Sequence, residues 1–170
     1  MRPILTCAAL LLMACNSMAQ TSAHLPVEVR FDHPEKFRDA SLDSQGYERG
    51  ADDEMMKTLT LHLQTLGERY LKPGQQLTID IHDIDLAGRY EPWHSRAHDV
   101  RFMRDITWPV IELHYTLSQP GQPAQQAEER VSDKMYLSRP GRQTSNDRLY
   151  AEKAMLRDWF RQRFGATPAS

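Results

Sequence analysis

Apolar residues recur along this chain with two periods, and the switches between them mark its elements. Val27, Val29 and Phe31 alternate with Glu28, Arg30 and Asp32, which predicts a half-buried strand ended by His33-Pro34. Residues 34–50 are polar, contain Gly46 and Gly50, and read as a long surface connection. Over 51–71 the period becomes helical: Met55, Leu59, Leu63, Leu66 and Tyr70 fall on one face. Asp52, Asp53 and Glu54 sit where the helix dipole favours negative charge, with Asp52 as the cap, and Lys72-Pro73-Gly74 ends the helix. His62 lies beside the apolar face, a boundary position.

Residues 77–88 form the clearest strand and hold the densest chemistry. Leu77, Ile79 and Ile81 occupy odd positions, Ile84 and Leu86 even ones. A bulge at His82–Asp83 keeps all five on one face and gathers Asp80, His82, Asp83 and Asp85 on the other. A change of length there is expected to do far more damage than one within 34–50.

Residues 89–108 combine a short strand-like run at 100–102 with Tyr90, Trp93, His94 and His98. That is too aromatic for an idle linker and makes Trp93, His94 and His98 candidate binding residues. Ile111, Leu113, Tyr115 and Leu117 then alternate with Glu112, His114 and Thr116; Pro120-Gly121 turns the chain, and 129–137 reads as the returning strand. Asp133 falls in phase with Val131 and Met135, either guarding an edge or breaking the strand. A last helix, about 147–164 and capped by Thr144, Ser145 or Asn146, presents Leu149, Met155, Leu156, Trp159, Phe160 and Phe164 to the core. The order β-α-β-(β)-β-β-α predicts an α+β fold: a mostly antiparallel sheet of four to five strands with both helices on one face. The uncovered face should then carry Glu28, Arg30, Asp80, His82, Asp83, Asp85, Glu112, His114, Thr116, Arg130, Ser132 and Lys134.

The N-terminus changes the compartment. One positive charge at Arg2, the apolar run 4–14 and Ser17-Met18-Ala19 make residues 1–19 a secretory signal, leaving one exported domain over 20–170. The alternative is lipidation at Cys15, because Leu12-Met13-Ala14-Cys15 resembles a lipobox; the protein is then an outer-membrane lipoprotein facing the periplasm instead of a free periplasmic one. Both cysteines, Cys7 and Cys15, lie in this region, so the remaining domain offers no disulfide and no thiol nucleophile. Of 21 basic residues one is Arg2, and the other 20 face 23 acids without any basic tract, which argues against nucleic acid as partner. No later apolar run has membrane-spanning length.

Two readings of the wet face follow. Its acids and cations pair across strands as a solvated surface, or His82, Asp83, Asp85 and His114 converge on a divalent metal, with His94 and His98 reaching over from the loop. No helical zinc spacing, nucleophile elbow or phosphate-binding glycine loop is present. The expectation is a non-enzymatic periplasmic binding or accessory module with an envelope protein or ligand as partner; the alternative is a metal-binding protein or metal-assisted hydrolase.

Several stretches together resemble one family. They are Val27-Glu28-Val29-Arg30-Phe31 with the following residues to Asp39, Asp83-Ile84-Asp85-Leu86-Ala87-Gly88, Asp99-Val100-Arg101, 109–115, and the run from Tyr150 to Phe160. The set resembles the proteobacterial secreted proteins of domain-of-unknown-function family 3016. The likeness implies a single exported domain and assigns no activity, cofactor or catalytic residue.

Overall fold

In a computed structural model, residues 25–43, 50–91, 93, 100–141 and 144–165 are described. The signal region with Cys15, and both His94 and His98, lie outside them. The elements in chain order are β1 (Val27–Phe31), α1 (Asp53–Tyr70), β2 (Gln76–Asp85), β3 (Arg89–Tyr90), β4 (Arg101–Phe102), β5 (Val110–Gln119), β6 (Gln122–Ser132) and α2 (Tyr150–Phe164). The fold is α+β. Its main sheet has the order β1-β2-β5-β6, with β1 parallel to β2 and the other two pairs antiparallel. The expected extra strand is a pair, β3 and β4, which form a separate two-stranded ribbon between β2 and β5.

The phase change in β2 is a bulge. Ile81 pairs with Leu113 and Asp83 with Glu112, so His82 has no opposite residue in β5. Leu77, Ile79, Ile81, Ile84 and Leu86 are all buried as a result. They share one core with Met55, Leu59, Leu63 and Leu66 of α1 and Met155, Leu156, Trp159 and Phe160 of α2. Gly67 brings α1 close to β1: a Cβ there would lie 2.1 Å from a Val27 methyl. Tyr115, Trp159, Phe160 and Phe164 interlock through edge-on ring contacts at 5.1–5.9 Å, so the aromatic stripe of α2 is core packing.

The structure departs from the sequence pattern in four places. Residues 34–43 are no surface connection: Phe37, Ala40 and Leu42 are buried, Asp39 bridges to Asp85, and Ala40 bridges to Ala51. Asp52 explains how this segment is held. One carboxylate oxygen accepts from Met55 N at 2.7 Å to cap α1, and the other accepts from Leu42 N. The returning strand β6 starts at Gln122 and ends at Ser132, earlier than the apolar alternation placed it. Its first half is polar and exposed, so hydrophobicity carried no signal there. Beyond Ser132 the chain leaves the sheet through a 3-10 turn at Tyr136–Ser138, which buries Tyr136 and exposes Met135 and Leu137, the reverse of the strand phase. Asp133 therefore marks the break, with Arg139 as its partner. Finally, α2 begins at Tyr150 with Leu149 in the cap position and no side-chain cap. Asp147 takes part of that role instead, accepting from Leu149 N at 3.0 Å and from Lys153 Nζ at 2.7 Å.

Candidate functional site

With both helices on one face, the register lines up polar residues across the other. Arg30 of β1, Asp80 of β2, His114 of β5 and Glu128 of β6 are successive partners, one from each strand of the sheet. Asp80 lies 3.5 Å from His114 Nδ1 and 3.8 Å from Arg30. The bulge adds His82 to this row. Its ring stands between Asp32, just past β1, at 3.4 Å and Glu128 at 3.9 Å. These six side chains and Phe31 line a concavity of about 520 Å³.

The separations decide what this concavity offers. Committed charged hydrogen bonds run at about 2.7–2.9 Å, and none of these imidazole–carboxylate contacts is that short. Three carboxylates face one guanidinium, and Arg30 makes its shortest contact outside the group, to Glu28 at 2.9 Å. The site therefore presents acceptors that a ligand's donors can engage, two imidazoles that donate or accept according to tautomer, and an aromatic wall. Among the described residues, no serine, threonine or cysteine is hydrogen-bonded to either imidazole, so the group holds no assembled nucleophile.

The predicted quartet does not converge. Asp83 accepts from the backbone N of Arg38 at 2.9 Å and pairs with its guanidinium at 2.5 Å. Arg38 also reaches Glu112 at 3.0 Å, which Arg130 shares at 3.3 Å. Asp85 pairs with Arg89 at 2.6 Å. Only His82 and His114 line the concavity. Among the described residues, no group of three or more His, Cys, Asp or Glu side chains is arranged to hold a metal ion. Trp93 is 72% exposed on the excursion after β3.

A second polar group, which the residue pattern did not single out, closes the end of β2. Arg101 donates from Nε to Ala87 O at 2.7 Å and from Nη2 to Asp39 at 2.5 Å, with Leu86 O and Gly88 O also in reach. Arg89 donates to the same Asp39 oxygen at 2.9 Å. Gly88 turns the chain here at φ 77°, so close to β4 that a Cβ would stand 2.7 Å from Phe102 O. Below it, Glu152 of α2 accepts from Ala87 N at 2.7 Å and is otherwise enclosed. Burial pushes its carboxyl above the ordinary range, against the pull of the Ala87 N–H and of the Arg101 charge. Its second oxygen and Arg101 Nη1 are buried without a hydrogen bond. Glu91 and Arg104 continue the group as a two-point pair at 2.8 and 2.9 Å, and Tyr136 OH donates to Arg104 O at 2.7 Å. The signal for this node lay in Asp39, 83–88 and Arg101, stretches that carried the family resemblance without a chemical pattern of their own.

Residues 26–162 match the family described as protein of unknown function DUF3016, a span that contains both polar groups. The chain belongs to this family. No curated protein and no solved structure matches it. Among the described residues of this family member, no helix is long and apolar enough to cross a membrane.

Proposed function

We propose that this protein is an exported, non-enzymatic binding or accessory module of the cell envelope, acting in the periplasm, and that the open sheet face is where it meets its ligand or partner. One observation carries the reading: a concavity spanning all four strands gathers two imidazoles and three carboxylates at separations that leave their hydrogen-bonding capacity available. Trp93, exposed after β3, is a candidate for a further contact. The divalent-metal alternative gains no support from a quartet divided among separate ion pairs. Export rests on the signal sequence, and mass spectrometry of the mature N-terminus distinguishes cleavage before Gln20 from an acylated Cys15.

The contact site is tested by replacing Glu128 with the photo-crosslinking residue benzoylphenylalanine and illuminating intact cells. A probe replacing Glu54, at the exposed start of α1, is the control. Adducts formed from position 128, absent from position 54 and lost in the His82→Ala/His114→Ala background, are expected. Equal labelling at both positions, or labelling that ignores the histidine substitutions, would remove the open face from the account.

A further inference from the structure

We propose that the open-face concavity receives a basic side chain, the ammonium of a lysine or the guanidinium of an arginine, carried by a partner protein. The inference rests on the reading that this face is a contact site, and it names the chemistry recognised there. The nearest nitrogens stand 3.4 and 3.7 Å from Asp32, 3.5 and 3.8 Å from Asp80, and 3.9 Å from Glu128. Each lies beyond the distance of about 2.7–2.9 Å at which a charged hydrogen bond is committed. Arg30, the one guanidinium of the lining, makes its close contact with Glu28 instead. Three carboxylates against one guanidinium leave the concavity negative, so an anionic ligand is repelled.

The imidazoles turn this surplus into one of acceptors. His82 directs Nδ1 at Asp32, and His114 directs Nδ1 at Asp80. A carboxylate attracts an N–H and repels a lone pair, so each neutral ring carries its proton on Nδ1 and keeps the Nε2 lone pair for a ligand. Nε2 of His82 then faces a Glu128 oxygen at 3.9 Å, two acceptors opposed with no proton between them. One cation bearing N–H groups, seated beside that line, reaches both at about 2.8–2.9 Å. Half-buried Phe31 adds an apolar wall to the same lining. Lysine and arginine match both surfaces, because each joins a charged head to an apolar stem. The concavity is also open: the Asp32 and Glu128 side chains are 57% and 73% exposed. Sites for free small molecules enclose most of their ligand, whereas an open one suits a group brought in on a larger molecule.

The test is selection of random peptides displayed on phage against the purified chain. Enriched peptides are resynthesised with each lysine replaced by norleucine and each arginine by citrulline, which removes the charge and keeps the stem. Binding is read by fluorescence polarisation with wild type and with Asp32→Asn/Asp80→Asn, whose fold is checked by melting curves. The expected result is a set of peptides sharing a lysine or arginine, whose Kd weakens at least tenfold when that residue is neutralised and at least tenfold in the double variant. Free 1,5-diaminopentane should displace them only far above the Kd of the peptide. The proposal is overturned by a selection that enriches nothing or enriches peptides without a basic residue, by neutralised peptides that bind unchanged, or by a variant that binds as wild type does. Displacement by the diamine at the Kd of the peptide also overturns it and assigns the concavity to a free amine. Adducts from position 128 that persist in any of these cases would leave the contact face standing and remove only its preference for a basic side chain.

Discussion

The open sheet face and the node at the end of β2 both gather carboxylates and arginine, the face with two imidazoles besides, and use them to opposite ends. On the face, His82, His114 and their carboxylates stand 3.4–3.9 Å apart, and Glu128 is 73% exposed. In the node, Arg101 and Asp39 meet at 2.5 Å with side chains only 10% and 14% exposed. Charges taken out of water must be matched by close partners and further hydrogen bonds, or they cost several kcal/mol each. The node answers most of that demand with carbonyls as well as carboxylates, leaving Arg101 Nη1 and one Glu152 oxygen without a hydrogen bond, and its chemistry is spent on holding the turn after β2 and the β3–β4 ribbon. The demand on the face is smaller: His114 and Asp80 are about a quarter exposed, His82 and Glu128 more so, and all are loosely paired.

The sharpest break of this comparison is a change of length in β2, the strand that serves both regions. Deleting Asp80 puts Leu77 and Ile79 out of phase with Ile81 and Ile84, and is expected to abolish folding, read by circular dichroism and proteolysis. Deleting His82 removes the bulge yet keeps Ile81, Asp83 and Ile84 in alternation. That chain should fold, so the damage done by a change of length at this point depends on which residue is removed. The bulge is what allows one residue to be lost, and an unfolded product would show that its geometry is required for pairing.

Next in size is Arg101→Met. It leaves Asp39 facing Arg89 alone and Ala87 O short of its donor, while Arg89 still reaches Leu86 O and Gly88 O, and should cost about 3–5 kcal/mol in urea unfolding, the range for breaking a buried pair. A loss under 1 kcal/mol would mean that the node is not what anchors the ribbon.

Glu152 gives a smaller effect with a definite sign. A carboxyl raised by burial holds its proton more tightly in the folded chain, so it adds stability in acid and removes it as pH climbs past the ordinary value of 4.5 and through the folded one. Relative to wild type, Glu152→Gln should therefore gain stability as pH rises above 4.5, levelling off once the folded carboxyl has lost its proton, in parallel denaturation curves. A constant difference between the two proteins would contradict a raised carboxyl.

Smallest is Arg130→Ala on the face. Its pair with Glu112, both partners about half exposed, should be worth less than about 1 kcal/mol.

How much of this was legible in sequence follows from what each feature depends on. β1, α1, the β2 bulge and the turn at Pro120-Gly121 are written in local periodicity and breakers, and they stand where the pattern put them. The first half of β6 is not, because an exposed edge strand needs no apolar alternation. Residues 34–43 hide for another reason: Phe37, Ala40 and Leu42 are buried singly between polar neighbours, and only the bridge from Asp39 to Asp85 shows why. For the site, alternation placed His82 and His114 on one face but could not reveal their partners. Arg38 and Arg89, which take Asp83 and Asp85 away from the histidines, come from segments whose approach to β2 is a tertiary fact.

The account rests on the claim that the face is for recognition and the node for structure, and the His82→Ala/His114→Ala protein tests it most directly. Its urea unfolding and the photo-crosslinking from position 128 are measured on the same variant. The prediction is stability within about 1 kcal/mol of wild type, because neither imidazole makes a carboxylate contact shorter than 3.4 Å, together with loss of the crosslinked species. A variant that loses several kcal/mol, or one that crosslinks as wild type does, would contradict the division.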